Sequence, residues 1–489
     1  MLSLGMQFMT HSFTSVLNPF VSILLGIILI LTIYHFWFQS LRYVKMAKNI
    51  PGPKPIPILG NALEVLGLGP EGERWKSHRK MLAPTFHSSI LKTFIPIFNR
   101  NFNTLLKKLD KIKHVTFDVF EYTTSTTVDI LLETAMGVKA KDDNVGLKYA
   151  KAIMDMCYIV HQRHYNLWLR ISFFFRWTKM AKEQTKLLNI IQSLTRRVLK
   201  SKKEDYVKRV EKGEHSIYNE VVAEAAKNQN DTENERTENY SYIRDDLEDN
   251  EENDVGKKKR LAFLDFMVEA SQIEGNKLTD DDIEDEVSTI TFAGHDTISA
   301  ASSFIFTLLG IHQDIQEKCI IELKEIFHDD WNRSITFKDT IEMKYLERVI
   351  METLRLYPPV PLIARKINED VKLASRDITL PAGTTVVISQ YVNHRDPKIW
   401  TNPEKFDPDN FLPEKCQARH HYAYFPFSAG PRSCLGRKYA MLQLKVMIAT
   451  VLRKYKLISP KEEKDFRLQS DIILKRADGF DLRVEDRIV

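Results

Sequence analysis

Of the four cysteines in this 489-residue chain, one stands in surroundings that favour a reactive thiolate. The segment Phe425-Pro-Phe-Ser-Ala-Gly-Pro-Arg-Ser-Cys434-Leu-Gly-Arg-Lys-Tyr-Ala440 puts Cys434 in a Gly- and Pro-rich loop, directly before an apolar helical run. A thiolate at that place gains from backbone N–H donors and from the positive end of the helix. Gly430 and Gly436 permit tight turns and the close approach of a large planar partner. Arg432 is two residues from the cysteine and can neutralise a carboxylate. The usual fate of a lone cysteine is a buried structural thiol. Cys157, Cys319 and Cys416 have no comparable setting and read as ordinary thiols.

Three further groups carry polar chemistry at helical spacing. Ala293-Gly294-His295-Asp296-Thr297 falls midway along a long helical segment. Glycine in a helix interior costs about 1 kcal/mol, so Gly294 points to a local opening, which Thr297 can widen by bonding back to an i−4 carbonyl. Glu352 and Arg355 lie at i, i+3 and share a helix face, which then runs into Leu356-Tyr-Pro-Pro-Val360. An exposed pair of this kind is worth little. Trp75 and Arg79, at i, i+4, also share a face.

The elements that must position these groups are mainly helical. Residues 86–225 read as amphipathic helices. Thr279 followed by three aspartates is a good helix start, for a helix reaching about Ile311. From Val371 to Val392, β-branched residues around Pro381-Ala382-Gly383 predict a hairpin. The stretch 228–260 reads as a disordered, solvated surface insert. Between Asp231 and Asp254 it carries 11 acidic and 2 basic residues, while the whole chain is +5. The body is therefore basic and suits an acidic partner, nucleic acid or an anionic membrane, among which charge alone does not choose. Composition excludes a mainly disordered or collagen-like chain, and four cysteines are too few for a disulfide framework.

Residues 1–40 hold no Asp, Glu, Lys or Arg, and Phe20 to Phe38 is mostly apolar. At about 1.5 Å rise per residue such a helix nearly crosses a hydrocarbon layer of about 30 Å. Tyr34, His35 and Trp37 sit at one end, and Arg42, Lys45 and Lys48 follow. The expectation is an uncleaved anchor over residues 1–48, with the rest of the chain in the cytosol. Residues 49–58, containing Pro51, Pro53, Pro55 and Pro57, form a stiff hinge, and residues 59–489 form the main domain. On the cytosolic side the Asn230, Asn239 and Asn332 sequons escape glycosylation.

Phe427-x-x-Gly430-x-Arg432-x-Cys434-x-Gly436 resembles the haem-binding loop of cytochromes P450. The resemblance implies the cytochrome P450 fold, mainly α with a small β part. It implies that Cys434 is the proximal thiolate ligand of haem iron, where thiolate favours O–O cleavage. Glu352 and Arg355 are similar to the family's core-fixing pair. Asn410, in Phe406-Asp-Pro-Asp-Asn410-Phe411, stands where the family pattern has Arg, so its hydrogen bonds come without charge. The segment around Thr297 resembles the family's oxygen groove, which implies that Thr297 and Asp296 deliver protons during oxygen activation. Ile298 stands where a second Thr is often found. By the same resemblance Trp75, Arg79, Arg365 and Arg432 hold the haem propionates.

Gly294-His295-Asp296-Thr297, Lys259-Arg-Leu-Ala-Phe-Leu-Asp265 and His394-Arg-Asp-Pro resemble family-4 P450s, especially insect microsomal ones. That implies a monooxygenase of the endoplasmic reticulum membrane. Its substrate would be lipophilic: a fatty acid, hormone, hydrocarbon or xenobiotic. Several members esterify haem through a Glu at the place of Ala293, which alanine cannot do, so haem b is expected to be non-covalent apart from the Cys434–iron bond. The chain also departs from the family at its start. Pro53 and Trp75 are 22 residues apart, where several dozen are usual, as if a segment with the first strands were missing. Gly67-Leu-Gly-Pro-Glu-Gly72 matches a dinucleotide pattern but contains a Pro, follows no clear strand and lacks the acid about 20 residues on. Electrons must then come from a separate protein, expected to be NADPH–cytochrome P450 reductase, with cytochrome b5 as a second partner and no nucleic acid. Lys76, Lys80, Arg437 and Lys438 form the basic patch for it. The competing readings are a haem-thiolate isomerase or dehydratase, which often lacks the groove threonine, and a truncated, catalytically impaired P450.

Overall fold

The computed structural model describes residues 19, 21–37, 72–139, 143–213, 262–272, 278–374 and 376–488. The hinge at 49–58, the acidic insert at 228–260 and the Gly67–Gly72 run fall wholly or almost wholly outside them. Helix α1 covers residues 21–37 with its apolar side chains exposed. No helix among the described residues is long and apolar enough to cross a membrane.

Two compact units divide the described chain. The smaller holds α1 and Ile363–Ile388; the larger holds Gly72–Leu362 and Ser389–Val489. In the larger unit the helices are α2 (Gly72–Leu82), α3 (Ile95–Asp110), α4 (Val119–Thr134), α5 (Asp143–Tyr165), α6 (Lys179–Glu211), α7 (Phe263–Ser271), α8 (Asp280–Ile311), α9 (Gln313–Phe327), α10 (Lys344–Leu356) and α11 (Arg437–Lys454). Its strands are β1 (Phe117–Asp118), β6 (Tyr455–Ile458), β7 (Leu468–Asp471), β8 (Ile473–Arg476) and β9 (Asp481–Asp486). The smaller unit contains most of β2 (Leu362–Lys366) and β5 (Thr385–Ser389), with β3 (Val371–Lys372) and β4 (Thr379–Leu380).

The central element is α8. Its start is fixed as the sequence predicts: Asp282 N–H donates to Thr279 Oγ1 at 3.1 Å, and Thr279 N–H donates back to Asp282 Oδ2 at 2.9 Å. Reciprocal capping satisfies donors that the helix leaves orphaned. From Ile298 to Gly310 every residue is buried, because α4, α11, α10 and the C-terminal strands pack around it. α11 is buried on nearly all sides from Met441 to Leu452; most of those residues are apolar, and the buried Lys445 donates to the Thr340 carbonyl at 2.7 Å. The small β part closes the far end. β1, β9 and β6 form one antiparallel sheet, and β7 and β8 pair as a hairpin with Gln469 opposite Lys475.

Two expectations need correction. Gly294 does not open α8, which runs unbroken from Asp280 to Ile311. A Cβ there would lie 2.9 Å from Leu131 Cδ2, so the glycine lets α4 approach closely. The hairpin around Pro381–Gly383 also pairs differently. β3 pairs with β4, while the turn through Gly383, at φ +84, leads into β5, whose partner is β2.

Candidate functional site

The cysteine loop is shaped by its own backbone. Cys434 N–H donates to the Phe427 carbonyl at 2.8 Å, and Ser433 N–H donates to Gly430 at 2.9 Å. Ser428 and Gly430 adopt positive φ, +62 and +74, so the glycine at 430 answers a real conformational need. Gly436 differs: its φ is −90, and a Cβ would meet Phe86 only at an ordinary 3.8 Å. No protein neighbour or turn therefore demands glycine at 436. Phe427 packs against the hydrophobic core.

Cys434 is accessible, yet the surrounding protein is dense enough that burial pushes its thiol above the ordinary range. Both hold for a group facing into a recess. The Gly436 N–H and the Arg79 charge work the other way, favouring the thiolate. On α8, Ala293 is exposed between buried Thr291 and His295, so the middle of a buried helix also opens onto accessible space.

Trp75, Arg79 and Arg432 come together beside the cysteine. The Arg432 guanidinium lies 3.5 Å from the Trp75 ring centre and the Arg79 guanidinium 5.6 Å from it. Arg79 Nη1 donates to the Ser433 carbonyl at 2.7 Å, which ties α2 to the loop. His78, paired with Glu286 at 2.8 Å, ties α2 to α8 as well. Arg365 belongs to the smaller unit, where it donates to the Ala364 carbonyl. Lys76 and Lys80 are exposed on α2; Arg437 and Lys438 are half-buried.

Glu352 and Arg355 are wholly buried and form a bidentate pair at 2.7 and 2.8 Å. Arg355 also donates to the carbonyls of His394, Pro403 and Lys405. Asn410 Nδ2 donates to Glu352 Oε1 at 3.0 Å, as does the Asp407 N–H at 2.8 Å. The asparagine thus fills the third place without a charge. A nearby cation was missed in the sequence: the Arg419 guanidinium lies 4.1 Å from the Trp400 ring, on which Arg355 also rests at 4.9 Å. Arg419 follows no recognisable spacing, so only the fold reveals it. His394 was quoted for its motif alone. Its Nε2 accepts the Phe425 N–H at 3.0 Å, linking Arg355 to the start of the cysteine loop.

Thr297 Oγ1 donates to the Ala293 carbonyl at 2.7 Å, the back-bond expected of it. Asp296 is buried, with Lys475 Nζ 2.6 Å from its Oδ1. The sequence held no sign of this lysine. His295 is buried with Nδ1 2.8 Å from the Thr291 carbonyl, and burial lowers its pKa.

An accessible thiol held by a rigid loop, with two guanidiniums and an indole beside it, fits a planar carboxylate-bearing group such as haem. The family model for cytochrome P450 matches residues 68–484, and the chain belongs to that family. It is a family-4-like cytochrome P450 monooxygenase, an enzyme class that binds haem b through a cysteine thiolate. Its relatives include cytochrome P450 4g1 of Drosophila melanogaster, 42% identical over 98% of this chain and 97% of the relative. Cytochrome P450 4g15 of the same organism is 47% identical over 88% of this chain and 79% of the relative, and human cytochrome P450 4V2 is 34% identical over 92% and 85%. The first alignment spans 550 positions against 489 residues, so that relative has residues with no counterpart here. The fold is shared with the crystal structure of the cytochrome P450DA heme domain, at TM-score 0.65 and 19% identity, over 84% of this chain and 77% of that one.

Proposed function

We propose that this chain hydroxylates a lipophilic substrate, with Cys434 as the residue whose thiolate would hold the haem iron and electrons supplied by NADPH–cytochrome P450 reductase. The observation that carries the reading is the accessible Cys434 thiol beside Arg79, Arg432 and Trp75. When bound, haem supplies oxygen activation and insertion of one oxygen atom into a C–H bond. The loop backbone holds the sulfur in place, and the Gly436 N–H stabilises its charge. Arg79 and Arg432 would neutralise propionate charge, with Trp75 as a platform beneath Arg432; for Arg365 the same role rests on family likeness alone. Thr297, bonded back to the Ala293 carbonyl, and the buried Asp296 beside it would hold and pass protons needed for oxygen activation. Glu352, Arg355 and Asn410 fix the core beneath the loop and take no part in chemistry.

The substrate class rests on likeness to family-4 relatives: fatty acid, hormone, hydrocarbon or xenobiotic. Exposed Lys76 and Lys80 supply positive charge for an acidic reductase, and cytochrome b5 is a second partner for the same face. The apolar run 20–38 with the cations after it supports an anchor in the endoplasmic reticulum membrane, the catalytic body in the cytosol. The test compares turnover of lauric acid by reductase and NADPH with turnover of a lipid hydroperoxide alone. A monooxygenase forms hydroxylated product only with NADPH. Rearrangement of the hydroperoxide without reductase, and no NADPH-dependent product, would favour the isomerase reading instead.

A further inference from the structure

Asp296 sits in the middle of α8 with its side chain 2% exposed, and a buried carboxylate is costly unless paired. Its partner comes from a remote part of the chain. Lys475 stands on β8, and its Nζ lies 2.6 Å from Asp296 Oδ1 and 4.9 Å from the Phe120 ring. The contact is close but lies outside hydrogen-bond alignment, so it acts as an ion pair. The hairpin that presents Lys475 is tightly made. Its turn residue, Ile472, has φ +87, which a β-branched residue adopts only under strain.

Other titratable groups face the same place. His161 on α5 is 3.5 Å from Asp471 at the hairpin tip. The Cys157 thiol, one turn before His161, is pushed up to about 12, by burial first and then by the negative charge of Asp296, while Lys475 opposes this. His295, beside Asp296, has its Nδ1 engaged with the Thr291 carbonyl. Lys475 is thus the cation in contact with Asp296 within a small cluster from α5, α8 and the β7–β8 hairpin.

We infer that Lys475 is a positioning residue: its ion pair fixes where the Asp296 carboxylate sits on α8 and so governs that residue's part in proton delivery. The inference rests on the proton-delivery reading of Asp296 given above. Lys475 touches neither substrate nor cofactor in this account and acts through Asp296 alone.

The test uses the haem-loaded full chain with reductase, NADPH and lauric acid as probe, reading peroxide released per NADPH, together with thermal midpoints. Lys475→Met should raise peroxide per NADPH by about twofold or more, since a misplaced acid weakens proton transfer. Lys475→Arg should return it toward the parent value. Asp296→Asn should uncouple as well, and adding Lys475→Met to it should uncouple no further. In the thermal measurements Lys475→Met should lose several degrees, and the double variant should be more stable than Lys475→Met alone because no carboxylate is left unpaired. If Asp296→Asn uncouples but Lys475→Met does not, Lys475 is only a structural clamp and the inference is overturned while the proton-path reading stands. If Asp296→Asn leaves coupling unchanged, the proton-path reading fails and the inference falls with it.

Discussion

Around Arg355 every side-chain nitrogen finds an acceptor within 3.0 Å, drawn from Glu352 and from three backbone carbonyls of the segment that follows. In the smaller unit, β5 pairs with β2 alone among the described residues, and Val387 and Ile388 are 46% and 37% exposed. One region is closed, with every nitrogen of its central arginine satisfied; the other presents apolar, β-branched residues and, among the described residues, a strand edge with no partner. Unpaired edges invite aggregation, and proteins cover them or charge them. One relative carries residues with no counterpart in this chain, since the alignment with it is 550 positions long against 489 residues here. Among the described residues the sheet pieces of the smaller unit are two-stranded, β2 with β5 and β3 with β4.

The comparison breaks first if the closed region tolerates damage. Arg355→Ala leaves Glu352 buried with its charge uncompensated, a loss of about 3–5 kcal/mol. We expect no haem incorporation and no cooperative urea transition. A folded, haem-loaded Arg355→Ala variant would show that the network is dispensable.

The second prediction sharpens the other side. A longer form, with strands restored between the proline hinge and Trp75, should carry more haem per protein and aggregate less than the 489-residue form. Equal haem content and turnover in the two forms would show that the sheet needs no further cover.

The contrast also explains what the sequence revealed. The cysteine loop, the α8 cap and the Glu352–Arg355 pair were legible because each is local: a fixed spacing, a capping residue, an i, i+3 face. Trp75 and Arg79 were legible as a pair, but their contact with Arg432 and Ser433 needed the fold. Lys475, Arg419 and His394 were invisible in their roles, because each acts on a group far away along the chain. Gly294 was misread for a related reason. Propensity assigns it a break, while the tertiary approach of Leu131 decides its use. The β5 pairing failed because a turn residue marks where a strand begins and not which strand it joins.

A smaller effect links pH to the closed region. Burial, followed by the charges of Arg355 and Arg395, pushes His394 down to about 3, and its Nε2 accepts the Phe425 N–H. The folded-state value lies below the unfolded one, so the unfolded chain binds the extra proton as pH falls. Stability should therefore be unaffected above about pH 6.5 and decline from there toward about pH 3. His394→Gln should flatten that decline in urea midpoints measured between pH 7 and pH 5. An unchanged slope would mean that other groups govern acid stability.

The smallest effect lies on the exposed strand. Val387→Lys should change the unfolding free energy by no more than about 0.5 kcal/mol, as a surface substitution does. It should reduce light scattering on mild heating, because charge on an edge opposes pairing. Scattering equal to that of the parent would locate the aggregation-prone surface elsewhere.

The central claim is that Cys434 is the sulfur ligand of haem in a monooxygenase. Its most direct test is the absorption spectrum of the dithionite-reduced, CO-bound protein, recorded for the parent chain and for Cys434→Ser. The parent should show the long-wavelength Soret band that a thiolate ligand produces, and the serine variant should lose it, because an alcohol is a far poorer iron ligand at neutral pH. Retention of that band in Cys434→Ser would contradict the assignment.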